Sequence, residues 1–242
     1  MMSKKKLAAL VGALSVMVSA YATPSMAISL GFGATGGAIF LSADGSEKLA
    51  APVAAGGAAT TAKKGQENIN GVMPSIYAQI TIGEERFGEG NGFVIGYDMG
   101  IGKASKTVRR SEVKNQNAAN DGTGDAGATE SSTSAEAEVS NLNTIYIETP
   151  GFTIAGIYLR AGWSEMDVKT TEDLITLDTV GDGSIDGFTY GVGFKKSLSG
   201  FQIKTEFNYT DFDTLALTSA SGSVYKATPE AWTAKLGIGY NF

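Results

Sequence analysis

Seven ionisable residues are the main candidates for chemistry, because each lies on the small, polar side of a segment in which apolar and polar residues alternate. Three are acids and four are bases, so their charges nearly balance. Charges that share a narrow interior are expected to pair, since an unpaired buried charge is very costly. The set is Asp98, Glu148, Arg160, Lys195, Lys204, Glu206 and Lys235.

Two interpretations of these charges remain open. In the first, the pairs form a packed polar plug that closes the interior. In the second, the pairs exchange partners and act as a gate that admits small ions. We prefer the plug, and the sequence does not indicate which residues touch.

Catalytic chemistry has little support. The chain contains no His and no Cys, which excludes Ser-His, Asp-His and Cys-His arrangements. The spacing of Gly31, Gly33 and Gly36 matches a dinucleotide-binding loop by chance, because no strand-helix-strand unit surrounds it. We therefore expect no enzyme activity and no cofactor.

A calcium site is a weaker candidate. Asp178, Asp182 and Asp186 have the spacing of a calcium-binding loop of the D-x-D-G-D-G-x-x-D kind. Val180 stands where a further carboxylate would be, and calcium prefers about 6–8 oxygen ligands. An acidic, solvated turn is the simpler interpretation, so we expect no metal and leave calcium binding open.

Eight predicted β-strands position the charges. Side chains along a strand alternate between two faces, and each segment has one apolar face and one small or polar face. Long connections (43–71, 103–141, 165–187 and 211–230) alternate with short turns. We predict that 103–141 is an irregular, mobile, external loop, because its Ala/Ser/Thr/Gly-rich composition offers no core. The strands are 28–41, 72–82, 93–102, 142–149, 152–164, 188–198, 201–210 and 231–242.

The polar faces indicate which side of the sheet is inside. They are rich in Gly, for example Gly96, Gly156, Gly193 and Gly239, and Gly weakens a strand that faces water. A narrow barrel interior needs small residues beside large ones. The apolar face is therefore predicted to contact lipid, where only a closed barrel pairs every backbone group. A soluble barrel or sandwich with an apolar core is the alternative.

The last strand shows the pattern most clearly, and about 9–11 residues suffice to cross a bilayer as a tilted strand. It resembles the C-terminal strand of bacterial outer-membrane β-barrels, which commonly ends on Phe after alternating apolar residues. In that family the ending is read by the assembly machinery. The resemblance makes Leu236, Ile238, Tyr240 and Phe242 the assembly signal, and it implies outer-membrane lipid and the barrel assembly machinery as partners.

The first 27 residues have the features of a signal peptide. Lys4, Lys5 and Lys6 precede an apolar run of 14 residues, which is shorter than the roughly 20 residues of a spanning helix. Small residues precede a predicted cleavage after Ala27, and cleavage after Ala22 is an alternative. Without this leader the net charge changes from −6 to −9, which disfavours nucleic acid as a partner.

Residues 28–242 thus resemble the small eight-stranded outer-membrane barrels, namely opacity-type surface antigens and OmpA- or OmpX-like barrels. The resemblance implies an all-β, antiparallel, up-and-down transmembrane barrel in the outer membrane of a Gram-negative bacterium. It further implies a non-enzymatic protein that displays surface loops and stabilises or decorates that membrane. A narrow, porin-like channel for small solutes or apolar molecules is the alternative function, and no external partner is indicated.

Overall fold

A computed structural model describes residues 28–48, 63–87, 91–114, 129–152, 156–173, 180–219 and 224–242. These residues form eleven strands and one single-turn helix. The strands are β1 (Ile28–Lys48), β2 (Lys63–Val72), β3 (Ser75–Ile82), β4 (Phe93–Gly100), β5 (Lys103–Lys114), β6 (Thr129–Glu148), β7 (Ile157–Asp173), β8 (Gly183–Leu198), β9 (Phe201–Phe212), β10 (Leu215–Thr218) and β11 (Val224–Asn241), and the helix α1 is Glu84–Phe87. None of the described helical residues forms a segment long and apolar enough to span a membrane.

Eight of the strands close into a ring, in the order β1, β3, β4, β6, β7, β8, β9 and β11. Every neighbouring pair is antiparallel, and β11 closes the ring by pairing with β1 from Gly31↔Asn241 to Lys48↔Val224. Closure pairs the backbone groups of the wall with one another, as hydrocarbon surroundings require. The predicted eight-stranded antiparallel barrel is confirmed.

A belt of exposed apolar side chains surrounds the ring. On β11 the alternate positions from Trp232 to Tyr240 are exposed, while Thr233, Gly237 and Gly239 between them are buried. At ~3.3 Å per residue, the eight steps from Trp232 to Tyr240 cover about 26 Å along the strand, or about 20 Å along the axis at a tilt of ~40°. An apolar surface of this height is suited to lipid and not to water.

Aromatic contacts mark both rims of the belt. At the turn end, where the short turns and both described termini lie, the rings of Tyr240 and Phe242 are 4.9 Å apart. At the loop end, where the long connections lie, Tyr209 is 4.6 Å from Trp232 and 5.2 Å from Tyr190. Aromatic girdles at two levels are typical of barrels that cross a membrane.

One strand of the wall is interrupted at Pro74. The predicted strand 72–82 is two strands, because Pro74 has no donor and interrupts the ladder. The amide of Met73 donates to the Gly37 carbonyl at 2.7 Å, and the amide of Ile101 donates to the Pro74 carbonyl at 2.9 Å. Residues 63–71, predicted as part of a loop, belong to β2, and β1 continues to Lys48, while 49–62 lie outside the described residues.

The prediction that 103–141 is an irregular loop is wrong over most of its described length. β5 pairs with β6 from Lys103↔Ser140 to Lys114↔Thr129, and β6 pairs in turn with β7. Their Ala- and Ser-rich faces look loop-like because water, and not lipid, lies outside them. Inward-facing Ala104 and Val139 are buried all the same. Residues 115–128 lie outside the described residues.

The other predicted connections are also partly strand. β7 extends to Asp173 and β8 begins at Gly183, so only 174–182 of the predicted loop 165–187 lie between strands. Of these, 174–179 are outside the described residues. The predicted loop 211–230 contains β10 and the start of β11. The short turn 83–92 contains α1. The fifth strand is predicted to begin at Phe152, but β7 begins at Ile157, and Phe152 makes only an isolated bridge to that residue.

The interior of the loop end is apolar. A cluster of buried side chains, here called the loop-end cluster, lies above the membrane belt and draws on β1, β2, β5, β6, β7, β8, β9 and β11. Its members are Ile39, Leu41, Ile69, Met73, Ala104, Val139, Leu142, Met166, Val168, Ile185, Phe212 and Ala231. The extension therefore has a core of its own, which composition alone did not indicate.

The belt makes a prediction about charge on the outer face of β11. Replacing Leu236, which is 61% exposed and lies midway between Trp232 and Tyr240, with Lys should lower the free energy of unfolding by roughly 2–4 kcal/mol, because an ammonium group enters hydrocarbon. Urea titration of protein folded in lipid vesicles measures this loss.

The control is Thr228→Lys, which changes an exposed residue of the same strand and face beyond the belt. It should be nearly neutral, because its side chain remains in water. Equal losses for the two variants would place the belt outside the membrane.

Candidate functional site

The interior at belt level contains all seven predicted charged residues in one network. Asp98, Glu148, Arg160, Lys195, Lys204 and Glu206 are buried, and the side chain of Lys235 is 8% exposed. They come from β4, β6, β7, β8, β9 and β11. Strand alternation points each of them inward, and ring closure brings them within contact distance.

Arg160 lies at the centre of the network. Its Nη1 donates to Glu206 Oε2 at 2.5 Å, and its Nη2 donates to Asp98 Oδ2 at 3.2 Å. The guanidinium carbon lies 3.7 Å from the centroid of the Tyr146 ring. Two carboxylates and one aromatic face thus hold this cation in a single orientation.

Lys204 shares Glu206 with Arg160 and also binds Glu148. Its Nζ donates to Glu148 Oε1 at 2.6 Å and to Gln79 Oε1 at 3.3 Å, and it lies 3.4 Å from Glu206 Oε1. Glu206 is therefore shared by Arg160 and Lys204. Removal of this one carboxylate would leave two cations short of a partner.

The two remaining lysines each contact one acid of the network. Lys235 Nζ donates to Asp98 Oδ2 at 2.6 Å, and Lys195 Nζ lies 3.7 Å from Glu148 Oε2. Lys195 also lies directly opposite Lys204 in the ladder of β8 and β9. Like charges at facing positions destabilise a sheet, so Glu148 between them is required for both to be buried.

Three tyrosines fill the space around the charges. Lys204 Nζ is 5.1–5.5 Å from the ring centroids of Tyr77, Tyr146 and Tyr158. The hydroxyl of Tyr158 donates to Glu206 Oε1 at 2.7 Å. These rings provide bulk, and their faces stabilise the buried ammonium group.

Each of these tyrosines lies against a glycine of a neighbouring strand. A Cβ at Gly96 would be 2.3 Å from the Tyr146 ring, and one at Gly193 would be 2.3 Å from the Tyr158 ring. Tyr77 lies in the same way over Gly33. The glycines that the sequence places on the inner face thus make room for aromatic rings in a narrow barrel.

A ladder of hydroxyl groups separates the charges from the loop-end cluster. It runs across four strands, with oxygen distances of 2.7 Å for Thr144–Ser164, 2.5 Å for Ser164–Thr189 and 2.7 Å for Thr189–Thr210. All four side chains are buried. Sequence analysis missed this ladder, although inward Ser or Thr at one level of consecutive strands was the available signal.

No metal site is formed among the described residues, where no three metal-ligating side chains come together. Asp178 lies outside those residues. Asp182 Oδ1 accepts a hydrogen bond from the amide of Thr170 at 3.3 Å, and Asp186 is part of β8. The calcium hypothesis also requires Asp178 and therefore stays a prediction.

Comparison with known proteins gives structural similarity only. No family model matches the chain, and no curated protein matches it. Among solved structures, it is similar to the outer-membrane protease OmpT of Escherichia coli (8% identity, TM-score 0.45, covering 91% of this chain and 100% of that one). It is also similar to the outer-membrane protein OprG of Pseudomonas aeruginosa (12%, 0.46, 88% and 95%) and to the outer-membrane protein AlkL (14%, 0.37, 87% and 90%). No substrate or activity is carried over at these identities.

The shared carboxylate gives the second prediction. Glu206→Gln should reduce the free energy of unfolding by about 3–5 kcal/mol, because Arg160 and Lys204 lose a buried counter-charge. Urea titration in lipid vesicles measures the loss.

Glu138→Gln is the matched control, since Glu138 forms an exposed ion pair with Lys103 at 2.9 Å. It should cost less than about 1 kcal/mol, because solvent screens such pairs. A loss of that small size for Glu206→Gln as well would mean that the interior is hydrated and its ion pairs are loose.

Proposed function

We propose that the chain is a non-conducting, non-enzymatic protein of the Gram-negative outer membrane, whose barrel holds a β-structured platform outside the cell. The observation that carries this proposal is the closed interior at belt level. Tyr146 and Tyr158 are fully buried there, and so are Asp98 and Glu148 to within 2%.

Closure of the interior favours the plug over the gate. For an ion to pass, Arg160 would have to leave Glu206 and Asp98. Each of these buried carboxylates would then keep only one of its two cations. Breaking a buried pair costs several kcal/mol. The tyrosines that lie against glycines leave the charged side chains little space for other rotamers.

The extension beyond the belt supports display. β11 continues eight residues past Trp232 to Val224, paired throughout with β1, which is about 26 Å at ~3.3 Å per residue. Its outward side chains there are polar, such as Lys226 and Thr228, and both are exposed. The loop-end cluster packs the base of the extension, up to the level of Leu41 and Ala231.

Orientation and assembly complete the proposal. The short turns face the periplasm and the loop end faces outward, as long loops do in outer-membrane barrels. Residues 1–27 direct export and are removed. Phe242 and the alternating residues before it present the last strand to the assembly machinery, and their side chains lie on the lipid face, where Phe242 is 75% exposed.

The third prediction concerns conductance. Purified protein in planar lipid bilayers should show no steady open state, because the charge network closes the interior. The double variant Tyr146→Ala, Tyr158→Ala removes the two largest buried side chains and should produce measurable openings if it folds. A large, steady conductance of the unmodified protein would contradict the proposal and favour the channel.

The fourth prediction concerns orientation, and it uses the absence of native Cys. Asn68→Cys, exposed on β2, should react with a membrane-impermeant maleimide on intact cells. Ser199→Cys, in the exposed β8–β9 turn, should react only after the outer membrane is permeabilised. The reverse pattern would mean that the barrel has the opposite orientation in the membrane. Labelling of both cysteines on intact cells would argue against a membrane location.

A further inference from the structure

The wall of the loop end contains a seam. In the strand pairings of the described residues, β2 joins only β1 and β5 joins only β6. The hydrogen bond from Ile101 to Pro74 is at the base of this seam. Above it, the facing edges of β2 and β5 are in contact without forming a ladder.

Contacts of side chains hold the seam closed. A Cβ at Gly71 would lie 2.5 Å from the Cβ of Ala104, so the two strands touch just above the base. Farther up, Lys106 Nζ lies 2.8 Å from Glu67 Oε2, and both side chains are partly exposed. Side-chain packing and a solvent-screened ion pair, the contacts seen here among the described residues, are weaker than a hydrogen-bonded ladder, so this is a part of the wall that opens at low cost.

The seam connects two apolar regions. On the inner side, Ile69, Met73 and Ala104 belong to the loop-end cluster. On the outer side, Val72 is 69% exposed and Ile101 is 58% exposed, at the upper edge of the belt. At the base of the seam, apolar side chains thus lie on both sides of the wall, while the charged pairs Lys103–Glu138 and Glu67–Lys106 lie beside it and above it.

The cluster is adaptable next to the seam. Met73 and Met166 are among its members, and methionine fills irregular space and rearranges readily. A small cavity of about 10 Å³, enough for one water molecule, lies next to Met73 and Leu142. It is bordered also by Gly37, Gly100 and Lys235. The charge network closes the interior beneath this level, so a molecule that enters from the side has no path to the turn end.

We propose that the loop-end cluster is a binding site for small apolar molecules, which enter and leave through the seam between β2 and β5. The proposal goes beyond display and is independent of it. A non-conducting barrel with this site would exchange apolar molecules between its extracellular core and the outer leaflet.

The methionines provide a direct test. Residues 28–242 contain three of them, Met73, Met99 and Met166. Met73 and Met166 are buried in the cluster, whereas Met99 is on the lipid face and 38% exposed. We would label the methionine methyl groups with ¹³C, place the protein in lipid nanodiscs and titrate toluene. Met73 and Met166 should shift in a saturable manner, and Met99 should show only the linear change that partition into lipid produces.

A reversible crosslink tests the entry route. Glu67→Cys with Lys106→Cys, joined by a short bis-methanethiosulfonate, should abolish the saturable shifts, and reductant should restore them. The control joins Ser42→Cys to Gln66→Cys, which are hydrogen-bonded at 3.1 Å across the paired strands β1 and β2, and it should leave the shifts intact.

Three results would count against the proposal. Parallel, non-saturable changes at all three methionines would show that the cluster is a closed core. Saturable shifts that persist in the crosslinked seam variant would show that the seam is not the entrance. Lys106→Glu, which sets two acids across the seam, should speed exchange at Met73, and an unchanged rate would also count against the seam.

Discussion

The ion pairs of Arg160 are the interaction on which the interior of this barrel depends. A cation in that position requires two carboxylates from strands on different sides of the ring, and those carboxylates require further cations. The result is a network in which four bases share three acids. Its members are mutually dependent, because a buried charge that loses its partner is far more costly than one exposed to water.

The interior changes character along the axis, and each level suits its surroundings. At belt level lipid surrounds the wall, and the lumen is polar and charged. Above the hydroxyl ladder, water surrounds the wall and the lumen is apolar. The two halves of the barrel are therefore opposite in polarity. Apolar residues face outward in the lower half and inward in the upper half. A strand such as β7 serves both halves by a change in which of its two faces is apolar.

Sequence patterns predicted the lower half well, because lipid imposes strict alternation on the outer face. The last strand, the ring of eight and the short turns all followed from that rule. The upper half was predicted poorly. There a strand such as β6 needs only Ala137 and Val139 on its inner face, and Ser and Glu on its outer face carry no strand signal. Which charges touch was also beyond sequence, because Arg160 and Asp98 are 62 residues apart and register sets their contact.

Pairing of the first described strand with the last has a consequence for how the fold is reached. Gly31 lies opposite Asn241, so the contact that removes the final pair of open edges joins the first and the last described strands. Loop-closure entropy makes so distant a contact slow to form. Until it forms, the chain is an open sheet with two edges that readily pair with other chains. Completion of the wall by the last described strand is thus built into the topology, and a piece of the barrel that lacks this strand keeps two open edges.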